Sequence, residues 1–134
     1  MKLDFSINEL VDNFAAFDDW EDRYQYLIEL GKSLPPMNPA DRTEENRVHG
    51  CMSNVWLVAR IGSDGRFDFD ADSDALIVKG LIALLKIIYT GKTKAEIRGV
   101  DIADIFTKLG LDHHLSPNRR NGFYAMVERI GRLS

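Results

Sequence analysis

Apolar positions recur at helical spacing through the first third of the chain. Ile7, Leu10, Val11 and Phe14 follow Ser6-Ile7-Asn8-Glu9. In that pattern Ser6 can accept from the backbone of Glu9, and Glu9 can reach back to that of Ser6, so a capped amphipathic helix is predicted. A second helix is predicted to start at Asp18, with Glu21 in its first turn; Trp20, Tyr24, Leu27 and Ile28 form its stripe and Gly31 marks its stop. Two such helices, close in sequence, are expected to pack together. Pro35-Pro36-Met37-Asn38-Pro39 holds three of the four prolines. Proline lacks the amide donor a helix needs, so residues 34–45 read as an irregular crossing.

The period then changes from helical to alternating. Val55–Ile61 (VWLVARI) is short and β-branched, and Gly62-Ser63-Asp64-Gly65 follows as a hairpin turn. Phe67, Phe69 and Ala71 alternate with Asp68, Asp70 and Asp72, a strand with one wet face. Arg47-Val48-His49 is expected to add a third short strand, because a lone hairpin is marginal in water. Asp72 or Ser73 is placed to cap a helix over 74–89, stopped at Gly91. That helix is apolar nearly all round, so it should lie buried on the sheet, with Lys79 and Lys86 marking its solvated edge. Thr93 to Glu96 repeats the capping box. Residues 101–109 carry Ile102, Ile105, Phe106 and Leu109 before Gly110, and Ser116-Pro117 opens a last helix with Gly122, Phe123, Met126, Val127 and Ile130 on its buried stripe. Trp20 and Trp56 fit core positions. The expected class is α+β: one domain over 1–134, with a small antiparallel three-stranded sheet packed against helices.

Composition narrows the function. A chain of 134 residues can bury roughly two-thirds of its unfolded surface, so it needs no disulfide or metal to fold. The formal charge of −4 and pI near 5.3 argue against nucleic acid as a partner. The most apolar run, 75–89, is too short and too interrupted by lysine to span a bilayer. With no signal pattern at Met1-Lys2-Leu3 and a single cysteine, Cys51, a reducing, cytoplasmic location is expected.

Cys51 follows Gly50 and precedes Met52-Ser53-Asn54 at the foot of the first predicted strand, which puts the thiol on a loop tip. Sulfur nucleophiles act as thiolates and need donors or positive charge nearby. Arg47, His49 and Ser53 are near in sequence; a small buried hydrophobe is the competing reading. A zinc or iron module built from Cys51 with His49, His113 and His114 is chemically reasonable, although the spacing matches no ligand pattern. A cysteine hydrolase would need a histidine beside Cys51 held by a carboxylate. The acidic ladder from Asp68 to Asp74 fails as a calcium loop in either register: a loop from Asp68 puts Ser73 at its sixth place and Lys79 at its twelfth, where glycine and glutamate are required. Arg119 and Arg120 sit in the first turn of the last helix, against the preference of the helix dipole.

Three blocks carry a resemblance. Gly50-Cys51-Met52-Ser53-Asn54-Val55-Trp56 resembles the G-C-x-S-x-V-W signature of the SufE family. Residues 72–81 (DSDALIVKGL) are similar to its D-S-D-A-x-I-V-K-G-L block, and His114-Leu115-Ser116-Pro117-Asn118-Arg119 with Gly122 to its H-L-[ST]-P-x-R-x-x-G end. Trp20-Glu21, Tyr24 and Ile28-Glu29-Leu30-Gly31 resemble its second helix; Arg120 and Phe123 depart from the pattern. The resemblance implies a fold similar to the SufE and IscU-type proteins and a sulfur carrier, not an enzyme with turnover of its own. Cys51 would take sulfane sulfur as a persulfide from a SufS-like cysteine desulfurase, stimulate that enzyme, and pass the sulfur to an iron–sulfur scaffold. Pyridoxal phosphate would belong to the desulfurase, and the chain would hold no cofactor or metal. Asp74, Arg119, Gly50 and Ser53 become candidates for the partner interface. A monomer and a homodimer are both compatible with the resemblance.

Overall fold

Each helix start that the sequence marks with a capping box is one. Ser6 accepts from the Glu9 amide at 3.1 Å while Glu9 accepts from the Ser6 amide, opening α1 (Ile7–Ala15); Thr93 and Glu96 do the same for α4 (Lys94–Arg98). The computed structural model describes residues 6–50 and 53–134. Between these helices come α2 (Trp20–Lys32), a 3-10 turn at Pro39–Asp41, β1 (Val55–Ile61), β2 (Phe67–Ser73) and α3 (Leu76–Tyr89). After α4 follow α5 (Ile102–Lys108), a 3-10 turn at Leu111–His113 and α6 (Pro117–Leu133). The architecture is α+β. Among the described residues, no helix is long and apolar enough to cross a membrane.

The hairpin pairs Val55 with Ser73 and Ile61 with Phe67, and Gly65 at φ 79° closes its turn through a 2.9 Å bond to the Gly62 carbonyl. Period two then puts Val55, Leu57, Phe67, Phe69 and Ala71 on the core face. Here α3 lies against β2, with Leu81, Ile82, Leu84, Leu85 and Ile88 buried. α1 packs on α2 through Tyr26, whose ring meets Phe14 edge-on at 5.4 Å and whose hydroxyl accepts from Asn13.

Six expectations are corrected. Among the described residues the sheet has two strands, not three: only Arg47 bridges to Trp56. The carbonyls of Glu45 and Arg47 are taken by the Arg129 guanidinium, and the chain turns at Gly50 with φ 94°, so no third ladder extends. The second helix is capped by Asp19, not Asp18, and runs past Gly31 to Lys32. α3 starts at Leu76, not Asp74. Asp72 belongs to β2, Ser73 accepts from the Ala75 amide, and no side chain caps the helix, so Asp74 precedes its first turn. Lys79 and Lys86 do not mark a solvated edge: both reach the carboxylates of β2, and Lys86 is largely buried between Asp68 and Asp70. That acidic face is therefore less a solvated surface than an ion-pair network, since Arg60 also binds Asp68 and Asp70, and Arg42 binds Asp72. Trp56, finally, lies with these charges on the outer face of the sheet, its ring 5.9 Å from the Arg42 guanidinium.

Gly31 is not a stop but a contact. A Cβ built on it would sit 2.7 Å from the Gly80 nitrogen, and one on Gly80 would sit 2.4 Å from the Leu27 carbonyl oxygen. Backbone meets backbone where α2 crosses α3, and neither can yield as a flexible side chain would. We expect Gly80→Ala or Gly31→Ala to lose about 1–3 kcal/mol in urea unfolding, because overpacking outweighs the helix propensity that alanine adds. Gly131→Ala, whose Cβ would meet nothing within 4 Å, should leave stability unchanged or slightly raised.

Burial alone would push the Asp68 carboxyl up. The Phe69 amide, Lys86 and Arg60 outweigh that effect and hold it below the ordinary carboxylate range. A carboxyl lowered on folding contributes stability that is complete at neutral pH and is lost as pH falls through its folded value. Asp68→Asn should therefore be less stable than the parent at pH 7, with the gap closing below about pH 4, as read by thermal melts across the acid range.

Candidate functional site

Val48 donates to the Val55 carbonyl at 2.8 Å and Leu57 to that of Asn46 at 2.9 Å, which ties together the two described legs of chain on either side of Gly50 and Ser53. The leading leg is held against α6 by Arg129. The trailing leg is held by Asn54, whose amide and side-chain nitrogen donate to the two oxygens of Asp74 at 3.2 and 2.9 Å, while the Asp74 amide donates back to the Asn54 carbonyl. Asp74 is thus a brace for Asn54 at the entrance to β1. Continuing the β1–β2 register past Val55 and Ser73 places Asn54 opposite Asp74.

Cys51 and Met52 lie outside the described residues. Gly50 and Ser53, which flank them, are both described. Gly50 needs to be glycine for its φ of 94°; it lies against α6, where an added Cβ would stand in ordinary contact with the Ala125 methyl at 3.4 Å. Ser53 lines a cleft of about 350 Å³ between α3 and α6. Val78 and Leu81 from α3, and Phe123 and Met126 from α6, make its apolar part. Ser116, Asn118 and Arg119 at the start of α6 make its polar part, and Gly122 completes the wall. Ser116 caps α6 by accepting from the Arg119 amide at 3.3 Å. The Arg119 guanidinium is exposed and has no carboxylate partner among the described residues. The positive end of a 17-residue helix and a guanidinium with no carboxylate partner among the described residues therefore border one cleft that is partly apolar, an arrangement that favours an anion with an apolar body.

The structure brings Ser53 and Arg119 to one cleft and sets Gly50 against the helix that forms its wall, whereas Asp74 stands at the trailing leg. Other candidates are occupied elsewhere. His49 and Arg47 both approach Glu44, at 3.5 and 3.6 Å. His114 is stacked on Trp20 at 3.8 Å, its carbonyl accepting from the Tyr24 hydroxyl, and His113 pairs with Asp112. Among the described residues no three histidine or acidic side chains gather as a metal site. Sequence reasoning took Val78, Leu81, Phe123 and Met126 as plain core and passed over Asn54. The hairpin register would have found Asn54, since it pairs with Asp74 once the turn is centred on Asp64.

Known proteins share the fold and the sequence. The solution structure of a hypothetical protein from Thermus thermophilus superposes with a TM-score of 0.76, covering 95% of this chain and 91% of that one; at 23% identity the likeness concerns the fold. Uncharacterised SufE-like proteins of Rhizobium meliloti and Rhizobium etli are each 48% identical over 128 residues, spanning 93% of this chain and 91% and 86% of theirs. The sequence model of SufE, described as an Fe-S metabolism associated domain, matches residues 8–134. The chain belongs to the SufE family.

Proposed function

We propose that this protein is a sulfur acceptor and carrier for iron–sulfur cluster assembly. Cys51 takes sulfane sulfur from a SufS-like, pyridoxal-phosphate-dependent cysteine desulfurase, stimulates that enzyme by clearing its product, and delivers the sulfur to a downstream scaffold. The observation that supports this reading best is the cleft lined by Ser53, partly apolar and bordered by Arg119, whose guanidinium has no carboxylate partner among the described residues.

The chemistry asks for one thiol that reaches out and can be sheltered. The Cys51 thiolate attacks the outer sulfur of the donor's cysteine persulfide; the donor's S–S bond breaks, its thiolate leaves, and Cys51 carries the persulfide. One anion is consumed and one formed, and no oxidant is required. A persulfide left in bulk solvent is open to reduction and oxidation, so a cleft next to the loop that excludes water would lengthen its life. Arg119 and the start of α6 would stabilise the thiolate before transfer and the persulfide anion after it. One cysteine suits a carrier, because a cluster scaffold needs about three or four ligands. No cofactor of the chain's own enters the scheme, and turnover stays with the desulfurase.

On incubation with a cysteine desulfurase and cysteine, the parent should gain about 32 Da per sulfur atom by intact mass, at Cys51. Cys51→Ala should gain nothing and should not stimulate the desulfurase. Undiminished stimulation and cluster assembly by Cys51→Ala would overturn the reading.

Removing the guanidinium should make the thiol harder to ionise. In Arg119→Ala the alkylation midpoint of Cys51 should move up by as much as about one pH unit, with Arg119→Lys between the two. A pH profile of iodoacetamide labelling reads this directly. Equal midpoints would remove Arg119 from the thiolate's surroundings.

A further inference from the structure

Leu76 is the most exposed large aliphatic side chain among the described residues, at 58%, on a helix whose other aliphatic side chains are buried. It borders a groove of about 230 Å³ between the end of α2 and the first turn of α3, with Gly31, Leu34, Pro35 and Pro36 on the opposite side. The remaining lining is charged: Lys32, Arg42 and Lys79, with Asp72 as the only carboxylate among the described residues. Asp72 is mostly buried and fully engaged. Arg42 binds one oxygen, and the other takes the Ser73 amide at 2.8 Å and Lys79 at 3.5 Å. Lys32 in turn approaches Glu29 at 3.3 Å, so three cations stand against two carboxylates and the groove keeps a positive balance, on a chain whose net charge is −4. The unfilled N-terminus of α3 adds the same sign: no side chain caps it, and no acidic residue stands in its first turn.

We infer that this groove docks the sulfur donor, through an apolar side chain of the desulfurase flanked by carboxylates. The inference rests on the reading of the protein as a sulfur acceptor. Charge complementarity selects such a segment, since an apolar side chain covers Leu76 and the prolines while its neighbours meet Lys32, Arg42 and Lys79. The place is also right. Asp74, two residues before Leu76, holds Asn54, which follows Cys51 by three residues in sequence, so a partner seated in the groove covers ground continuous with Asn54.

Binding to the desulfurase, read by calorimetry or anisotropy apart from sulfur uptake, tests this. Leu76→Glu and Lys32→Glu, both at exposed positions, should each weaken binding at least tenfold. The parent's affinity should fall with added salt, more steeply than that of Lys32→Glu. Ile61→Glu, at an equally exposed aliphatic on the hairpin, should bind as the parent does. If Leu76→Glu binds within twofold of the parent while the parent still loads Cys51, the groove assignment fails alone. If the parent neither binds nor loads, the acceptor reading fails and this inference with it. A dimer of the parent that Leu76→Glu dissociates, with desulfurase affinity unchanged, would give the groove to a second copy and overturn the assignment.

Discussion

The crossing of α2 over α3 is a backbone contact, and the rest of the molecule depends on it. With glycine at 31 and 80 the two helices approach until main-chain atoms touch. That proximity fixes the depth of α3, which in turn carries every other boundary. On one side its aliphatic residues close the core against β2, and on another Val78 and Leu81 line the cleft shared with α6. A wider crossing would move α3 toward β2 and α6. Densely packed interiors do not absorb such a shift locally, so the cleft would change shape with it.

Much of the fold was legible because local chemistry and burial agreed. Capping boxes, the Ser-Pro start of α6, the glycine turn and the alternating phenylalanines each announce one structure by one mechanism. The errors share a cause: each needed information from a distant segment. Nothing near Arg47 states that Arg129, far along the chain, will take its carbonyl. Nothing near Lys86 states that a buried amine will find two carboxylates on β2. Gly31 read as a helix stop because glycine is a weak helix former, whereas its purpose lies in what crosses over it.

The candidate site divided in the same way. Gly50, Ser53 and Arg119 were visible as motif residues, yet motif spacing did not say that Ser53 and Arg119 border one cleft. The apolar lining was hidden because a cleft wall and a core use the same side chains at the same helical period; Val78 and Met126 differ from true core residues only in having empty space on one side. Asn54 was hidden for another reason. Its importance comes from lying opposite Asp74 in the hairpin register, and an isolated asparagine before a strand ordinarily reads as a turn residue.

The first turn of α3 brings these features together. Asp74, just ahead of the helix, holds Asn54, Leu76 and Lys79 border the basic groove, and Val78 lines the cleft, all within six residues of chain. A helical turn moves as a unit, because its backbone hydrogen bonds resist independent displacement of neighbouring residues. Lys79 donates to the Ala75 carbonyl at 3.0 Å, which closes that turn. Asp74 lies outside that turn with only Ala75 between it and Leu76, so force applied at Leu76 by a docked partner would reach Asp74 and its bonds to Asn54 through one intervening residue. This is the shortest physical route by which a partner's arrival would change the setting of Asn54, three residues after Cys51 in sequence. It requires α3 to be held firmly from behind, which the glycine crossing with α2 supplies.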